Sequence, residues 1–291
     1  MDSALQDAEL ELWRDNLDGA LRLLRDAYAR TADPHYASRV VEIRSWMRHL
    51  ATPNSYAAAY ERYYRQRKTG LRFKILERNL RILLGRKTRK TVCRIAEYPE
   101  YKLLEGEIVK HRPTRVLDAG CGEGRIALTL GDRFPAIRLT AVEVSATNVR
   151  IARRLNRYPN VTFAHGLVEN VVRDRPAGSF DLIYSIAVLE HVIDVDAFVG
   201  ALERTLQPGG RFCFLVPMNE LKAVGEVPAF HPPDDVAGHV RVFTEHGLRR
   251  QFGGRPNFAL TKIPGRWRHG RYPATIRPVE YGAFFVAFSV P

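Results

Sequence analysis

Cysteine is scarce in this chain of 291 residues, and long hydrophobic runs are absent from it. The three cysteines, Cys93, Cys121 and Cys213, lie far apart without the spacing of a metal site or a disulfide framework, which predicts a reducing, cytoplasmic environment. No stretch approaches the ~20 consecutive apolar residues that cross a membrane, so we expect no transmembrane segment. The first residues are acidic rather than basic and apolar, which predicts no secretory signal peptide.

Positive charge, by contrast, is plentiful and unevenly distributed. The formal net charge is +13, and residues 61–95, here called the basic segment, contain 13 basic residues and 2 acidic ones. Such a segment attracts nucleic acid, an anionic membrane surface or a phosphorylated substrate. Its leucines and isoleucines recur beside the arginines as in an amphipathic helix. We expect this apolar stripe to pack on the rest of the protein rather than on a membrane.

The first third of the chain has the pattern of a helical region. Leucines recur near helical spacing in residues 10–24, and Pro34 and Pro53 interrupt the pattern. The tyrosines that follow Pro53 predict a further helix with an aromatic face. We therefore expect an N-terminal helical region over residues 1–95, which includes the basic segment, and a second domain over residues 96–291.

A glycine-rich turn is the most informative feature of the second domain. A short apolar strand pattern ends in Asp118, glycines follow at positions 120, 122 and 124, and an apolar pattern with helical spacing comes next. Glycines allow close approach of the backbone to a ligand, and the helix N-terminus behind them offers free N–H groups. Such a turn binds a nucleotide-like cofactor at the carboxyl end of a strand. Arg125 stands where a dinucleotide motif has its third glycine, so a dehydrogenase is less expected.

Further predicted elements follow the turn in order along the chain. Residues 138–145 predict a strand that ends in Glu143, 19 residues after Gly124. An acid at that place can accept hydrogen bonds from both hydroxyls of a ribose. The other predicted elements are a helix at 97–111 and strands at 161–164, 179–185, 212–216 (after a turn at 206–211), 258–263 and 282–290.

Together these elements resemble the class I S-adenosylmethionine (SAM) dependent methyltransferases. The segment Val-Leu-Glu-His-Val at residues 188–192 is similar to that of the ubiquinone and menaquinone biosynthesis methyltransferases. The resemblance covers roughly residues 96–291. It implies an α/β, Rossmann-like sheet of seven mostly parallel strands with a terminal antiparallel hairpin. It also implies SAM as the cofactor and methyl transfer to a small molecule, with oxygen as the expected acceptor atom.

The resemblance also implies a set of cofactor-binding residues. Asp118 and the carbonyl edge of Gly120 would lie near the methionyl ammonium, Glu143 would take the ribose hydroxyls, and Val144 would lie against the adenine. Leu167 stands where the family commonly has an acid that meets the adenine amine, so apolar contacts, or Glu169 or Asn170 from a shifted position, would replace that acid. The full implied set is Asp118, Gly120, Cys121, Gly122, Gly124, Glu143, Val144, Leu167, Val168 and Ser185.

Three histidines fall in segments that border the acceptor pocket of this fold: His191, His231 and His239. A histidine with a pKa near neutral suits the removal of a proton from an oxygen acceptor. A structural role is the alternative for each, and we favour a structural hydrogen bond for His239. Some relatives bind a divalent metal through Glu-x-x-Glu-His. Here Ala187 replaces the first of those acids, so we predict no metal, with His231 and His239 as the candidates that could complete such a site.

Two alternatives remain open beside small-molecule methylation. The basic segment could bind the phosphate backbone of RNA in an RNA methyltransferase. The fourth-strand segment lacks the Asn/Asp-Pro-Pro-Tyr pattern of enzymes that methylate amino groups of nucleic acids, and no RNA-binding module is recognisable. The second alternative is a membrane-surface or interaction protein with a SAM-binding fold. In the small-molecule enzyme, the tyrosine-bearing helix and the basic segment could form a lid over the acceptor pocket. A basic lid would favour an acceptor that carries phosphate or carboxylate.

Overall fold

The computed structural model describes residues 3–13, 17–34, 36–37, 40, 58, 61, 95–192, 195–217, 243, 245–267 and 281–291. The tyrosine-bearing helix and the basic segment, apart from residues 58, 61 and 95, lie outside the described residues. His231 and His239 lie outside them as well.

Two stretches rich in leucine and alanine near the N-terminus form helices α1 (Ser3–Trp13) and α2 (Leu17–Thr31). They bury a small apolar cluster that includes Ala8, Ala20 and Leu24. The second helix ends before Pro34, as the sequence predicts, and the Thr31 hydroxyl donates to the Ala27 carbonyl at 2.9 Å in its last turn. Among the helices that the structure describes, none is long and apolar enough to cross a membrane.

Seven strands form one twisted sheet in the order β3-β2-β1-β4-β5-β7-β6. Neighbouring strands run parallel except around β7, which is antiparallel to both β5 and β6. The strands are β1 (Arg115–Ala119), β2 (Arg138–Glu143), β3 (Val161–His165), β4 (Phe180–Ile186), β5 (Leu206–Pro217), β6 (Ala259–Trp267) and β7 (Tyr281–Ser289). This arrangement confirms the predicted Rossmann-like sheet with a terminal antiparallel hairpin.

Helices cover both faces of the sheet, and the central strands β1 and β4 are accordingly buried on both sides. They are α3 (Pro99–His111), α4 (Arg125–Arg133), α5 (Ala146–Leu155), α6 (Val168–Arg173), α7 (Val195–Thr205) and α8 (Glu245–Phe252). In β1, Val116 packs into a core with α3, α4 and α5, whereas Leu117 packs into a second core with α6, α7 and α8. Successive side chains of the strand therefore point alternately into two cores, one on each face of the sheet.

Strand β5 differs from the prediction in where it starts. The sequence predicts a turn over residues 206–211 and a strand from Phe212, yet the strand begins at Leu206. Phe180 pairs with Leu206 and Leu182 pairs with Arg211, so the intervening residues of β5 bulge out of the ladder. The glycine and proline content of this stretch suits a bulged strand as well as a turn, so the sequence pattern does not distinguish the two.

Candidate active site

The carboxyl ends of β1, β2 and β4 meet where the strand order reverses, and the sequence-predicted site lies there. Strand β1 is flanked by β2 on one side and β4 on the other. In open α/β sheets, ligands bind in the crevice at such a switch point. Asp118 and Glu143 stand at the ends of β1 and β2, and Ser185 stands near the end of β4, where its hydroxyl donates to the Ala119 carbonyl at 2.8 Å.

The glycine turn between β1 and α4 is joined to β2 by backbone hydrogen bonds. The N–H groups of Gly120 and Cys121 both donate to the Val142 carbonyl, at 3.0 and 2.9 Å. All three glycines have positive φ, +96° at Gly120, +55° at Gly122 and +74° at Gly124. This conformation is the one that glycine adopts without steric cost.

The space around the three glycines differs. A Cβ atom on Gly120 would overlap the Val188 side chain, and one on Gly124 would lie 2.6 Å from the ring of Phe163. A Cβ atom on Gly122 would meet no described atom within 4 Å. Two glycines are therefore required by protein packing, whereas Gly122 borders open space in which a ligand could approach the backbone.

Glu143 is buried at the end of β2, and backbone donors fix its carboxylate. Its Oε2 accepts from the Gly122 N–H and its Oε1 accepts from the Ser145 N–H, both at 2.9 Å. The Asn148 amide lies 3.5 Å from Oε1. A carboxylate offers about four acceptor sites, so an acid held in this way can also accept from ribose hydroxyls.

Asp118 is a second buried acid, only 2% exposed. The Tyr184 hydroxyl donates to its Oδ2 at 2.8 Å. Burial raises the pKa of Asp118 to about 8, the Glu143 charge adds to that rise, and the Tyr184 hydrogen bond opposes it. A cation placed beside this carboxyl would favour its charged form. The site is therefore suited to a ligand that carries an ammonium group.

Cys121 lies within the glycine turn and is half-buried. Burial raises the pKa of its thiol well above the usual range, and the charges of Asp118 and Glu143 add to the rise. The nucleophile of cysteine chemistry is the thiolate, which these surroundings disfavour. Cys121 is thus suited to the predicted role of a small neutral neighbour of the ligand.

The turn from β3 to α6 lies beside the end of β2. The Gly166 N–H donates to the Glu143 carbonyl at 3.0 Å, and His165 Nε2 lies 3.1 Å from the Val144 carbonyl oxygen. These bonds place the turn that carries Leu167 and Val168 next to Val144. Val168 is buried, and Leu167 is half-buried.

The two alternative partners for the adenine amine differ in their surroundings. Burial raises the pKa of Glu169, which is half-buried in the first turn of α6. Asn170 is exposed, and its side-chain oxygen accepts from Arg173 at 2.6 Å. Glu169 is therefore the more buried of the two, and the Asn170 side-chain oxygen already accepts from Arg173.

A short 3₁₀ helix, Leu189–His191, follows β4 and carries one candidate base. His191 is 6% exposed and Glu190 is 1% exposed. The His191 N–H donates to the carbonyl of Val188, the residue whose side chain packs over Gly120. Burial raises the pKa of Glu190 to about 8. A buried histidine and a buried acid thus follow directly after the residue that covers the glycine turn.

The structure does not test the predicted absence of a metal or the predicted roles of His231 and His239. Within the described ranges, no group of three or more histidine, cysteine or acidic side chains is arranged to hold a metal ion. Because His231 and His239 lie outside those ranges, the absence of a metal and the roles of these histidines stay predictions.

Sequence reasoning missed two residues of this site. Tyr184 pairs with Asp118 across the β1–β4 ladder, a neighbour that follows from strand register rather than from any motif. Glu61, in the N-terminal region, accepts from the Ser145 hydroxyl at 2.7 Å. No sequence signal distinguishes Glu61 from other surface acids, because the contact joins residues 84 positions apart.

Known proteins are similar to this chain in sequence. The profile of a family described as "Methyltransferase domain" matches residues 63–263, well over half of the chain. A ubiquinone biosynthesis O-methyltransferase of Methylocella silvestris is 35% identical over 96 residues, which is 33% of this chain and 37% of that protein. A trans-aconitate 2-methyltransferase of Deinococcus radiodurans is 31% identical over 144 residues, 48% of this chain and 54% of that protein. The alignments thus span between about a third and a half of these relatives.

Solved structures share the fold. The YcgJ protein of Bacillus subtilis aligns with a TM-score of 0.50 at 19% identity, over 66% of this chain and 97% of that one. A SAM-dependent methyltransferase of Thermotoga maritima aligns with a TM-score of 0.51 at 18% identity, over 81% of this chain and 100% of that one. With a family profile over most of the chain and this sheet, the chain belongs to the methyltransferase-domain family, the class I SAM-dependent methyltransferases.

Proposed function

We propose that this protein transfers a methyl group from SAM to an oxygen atom of a small-molecule acceptor. The observation that carries the proposal is the pair of buried acids, Asp118 and Glu143, at the ends of adjacent strands beside the open space at Gly122. SAM supplies a methyl group that is already activated by a positively charged sulfur. The protein's part is then to align the acceptor with that methyl group and to exclude water.

The residues present fit the parts of SAM. Glu143 would hold the ribose hydroxyls, and Asp118 with the carbonyl of Gly120 would hold the methionyl ammonium. Burial raises the pKa of Asp118 to about 8, and an ammonium group beside this carboxyl would favour its charged form. The side chains near the adenine would be Val144, Leu167 and Val168, with Cys121, Gly122, Gly124 and Ser185 completing the site.

His191 is our first candidate for the group that takes the acceptor's proton. It is buried directly after β4, beside the turn that would hold the cofactor. Histidine is suited to this step because its pKa lies near neutral. His231 is a second candidate for the same role, and we assign His239 a structural hydrogen bond. Oxygen as the acceptor atom draws support from the similarity to the ubiquinone biosynthesis O-methyltransferase.

The domain division and location are further parts of the proposal. The separate apolar cluster of α1 and α2 supports an N-terminal helical region over residues 1–95 ahead of a catalytic domain over residues 96–291. Cys121 and Cys213 are both free thiols, which agrees with a reducing, cytoplasmic environment. The charge of the basic segment favours an anionic acceptor, one that carries phosphate or carboxylate.

RNA methylation is the second candidate, and the observation in its favour is again the charge of the basic segment. One experiment separates the two. The protein is incubated with SAM that carries a carbon-13 methyl group, together with either pooled small hydroxylated and carboxylated compounds or total RNA. We expect the label on a small molecule, with the carbon-13 shift of a methyl group bound to oxygen. Label on RNA alone, or on nitrogen, would contradict the proposal.

A further inference from the structure

Glu61 joins the N-terminal region to the cofactor end of the sheet. Its Oε2 accepts from the Ser145 hydroxyl at 2.7 Å and from the Thr147 N–H at 3.2 Å. Its Oε1 accepts from the Thr147 hydroxyl at 2.5 Å. Three donors at the start of α5 thus converge on a single carboxylate that lies more than 80 residues earlier in the chain.

Ser145 connects this carboxylate to the acid that would bind the ribose. Its N–H donates to Glu143 Oε1 at 2.9 Å, and its hydroxyl donates to Glu61. The same hydroxyl accepts from the Asn148 N–H at 3.2 Å as the N-cap of α5. Ser145 is fully buried, so its position is determined by these partners. A change at Glu61 would therefore reach Glu143 through one intervening residue.

The charge of Glu61 suits its position. A helix N-terminus carries a partial positive charge and free N–H groups, which an acid in the first turn commonly satisfies. Helix α5 has no acidic residue in its first turn. Glu61 supplies that acid from the N-terminal region. The contact therefore stabilises the start of α5 and links it to Glu61.

We propose that Glu61 is a positioning residue for the cofactor. By holding Ser145 and Thr147, it keeps the carboxylate of Glu143 in the orientation that accepts the ribose hydroxyls. The N-terminal region then forms part of the cofactor site, in addition to any role in covering the acceptor. This inference rests on the proposed function, since it takes Glu143 to be the ribose-binding acid.

The test compares two ligands on two variants. S-adenosylhomocysteine and its 2′,3′-dideoxy analogue are titrated by calorimetry into the wild type, Glu61→Ala and Glu97→Ala. Glu97 is an exposed acid, so its substitution matches the loss of charge. We expect Glu61→Ala to raise the Kd for S-adenosylhomocysteine about fivefold, equivalent to about 1 kcal/mol. The Kd for the dideoxy analogue should change less than about twofold by the same scale, because that ligand has no ribose hydroxyls to lose.

Four outcomes would contradict the inference or the proposed function on which it rests. Unchanged affinity for S-adenosylhomocysteine in Glu61→Ala, or an equal loss for both ligands, would contradict a role that acts on the ribose. If Glu61→Ala fails to fold, Ser145→Ala removes the hydroxyl that donates to Glu61 and keeps the N–H that donates to Glu143. Unchanged affinity in that variant would likewise contradict the proposal. A folded wild type that does not bind S-adenosylhomocysteine would instead overturn the proposed function itself.

Discussion

The substitution Gly122→Ala tests whether the glycine turn binds the cofactor or has only a structural role. Gly122 has a φ of +55°, which lies in the left-handed region that alanine enters at a cost of roughly 1–2 kcal/mol. Its added Cβ atom would meet no described atom within 4 Å, so no packing penalty adds to that cost. We therefore expect Gly122→Ala to fold, with a free energy of unfolding lowered by about 1–2 kcal/mol.

Binding should weaken in addition to this modest loss of stability. If SAM occupies the space beside Gly122, the new methyl group intrudes into the site. Overfilling a packed space costs about 1–3 kcal/mol, which corresponds to roughly 5- to 150-fold in Kd. Calorimetric titration with S-adenosylhomocysteine measures the Kd, and urea denaturation measures the free energy of unfolding.

Neighbouring glycines supply the comparison. In Gly120→Ala, the Cβ atom overlaps Val188 at a φ of +96°, so strain and overpacking add to about 2–6 kcal/mol of destabilisation. Val188→Ala in the same chain should restore part of it. Gly106→Ala, in the middle of α3 with no described atom within 4 Å of its new Cβ, should stabilise the protein by about 0.5–1 kcal/mol and leave binding unchanged.

The reasoning would be refuted by either of two results. If Gly122→Ala binds S-adenosylhomocysteine as tightly as the wild type, the open space is not the cofactor site. If Gly120→Ala is no less stable than Gly122→Ala, the packing of Val188 over the turn is wrong.

Three further predictions concern protons. Binding of S-adenosylhomocysteine at pH 7 should release close to one proton. Burial raises the pKa of Asp118 to about 8, and the carboxyl ionises when the ligand ammonium lies beside it. Calorimetric titrations in buffers of different ionisation enthalpy measure the number of protons released, and Asp118→Asn should abolish the release. Burial likewise raises the pKa of Glu190 to about 8, so the folded state holds a proton that the unfolded state, with a pKa of about 4.3, releases. The stability that this bound proton contributes is complete below pH ~4 and is lost as pH rises through about 8, at up to about 1.4 kcal/mol per pH unit. Urea denaturation between pH 5 and 9 should therefore show that the free energy of unfolding falls less steeply with pH in Glu190→Gln than in the wild type. An identical slope in both proteins would exclude this effect. His191→Gln should lower turnover at least about 100-fold with the Kd for S-adenosylhomocysteine unchanged, and unchanged turnover would remove His191 as the base.

The fold was predictable where local patterns decide it. The strand–glycine–helix sequence around Asp118 follows from residues that are neighbours in the chain, and the structure has β1, the turn and α4 there. The acid at the end of β2 was predictable for the same reason. The terminal hairpin came from the family resemblance, and β6 and β7 pair as expected.

Contacts between distant parts of the chain were not predictable. Tyr184 reaches Asp118 only because β4 lies beside β1 in a particular register. Glu61 and Ser145 lie 84 positions apart in the chain, and an isolated glutamate carries no pattern that predicts their contact. The early start of β5 depends on a bulge against β4. A Gly-Gly pair beside proline is compatible with a turn as well as with such a bulged strand. Each case depends on packing between elements rather than on the preference of one segment.

The central claim is that Asp118, the glycine turn and Glu143 form a SAM site. Calorimetric titration of the wild type and Glu143→Gln with S-adenosylhomocysteine, with NAD as the comparison ligand, tests it most directly. The account predicts that the wild type binds S-adenosylhomocysteine and not NAD, and that Glu143→Gln binds at least about tenfold more weakly, a loss of about 1.4 kcal/mol. Folded protein that binds NAD equally well, or that binds S-adenosylhomocysteine undiminished in Glu143→Gln, would contradict it.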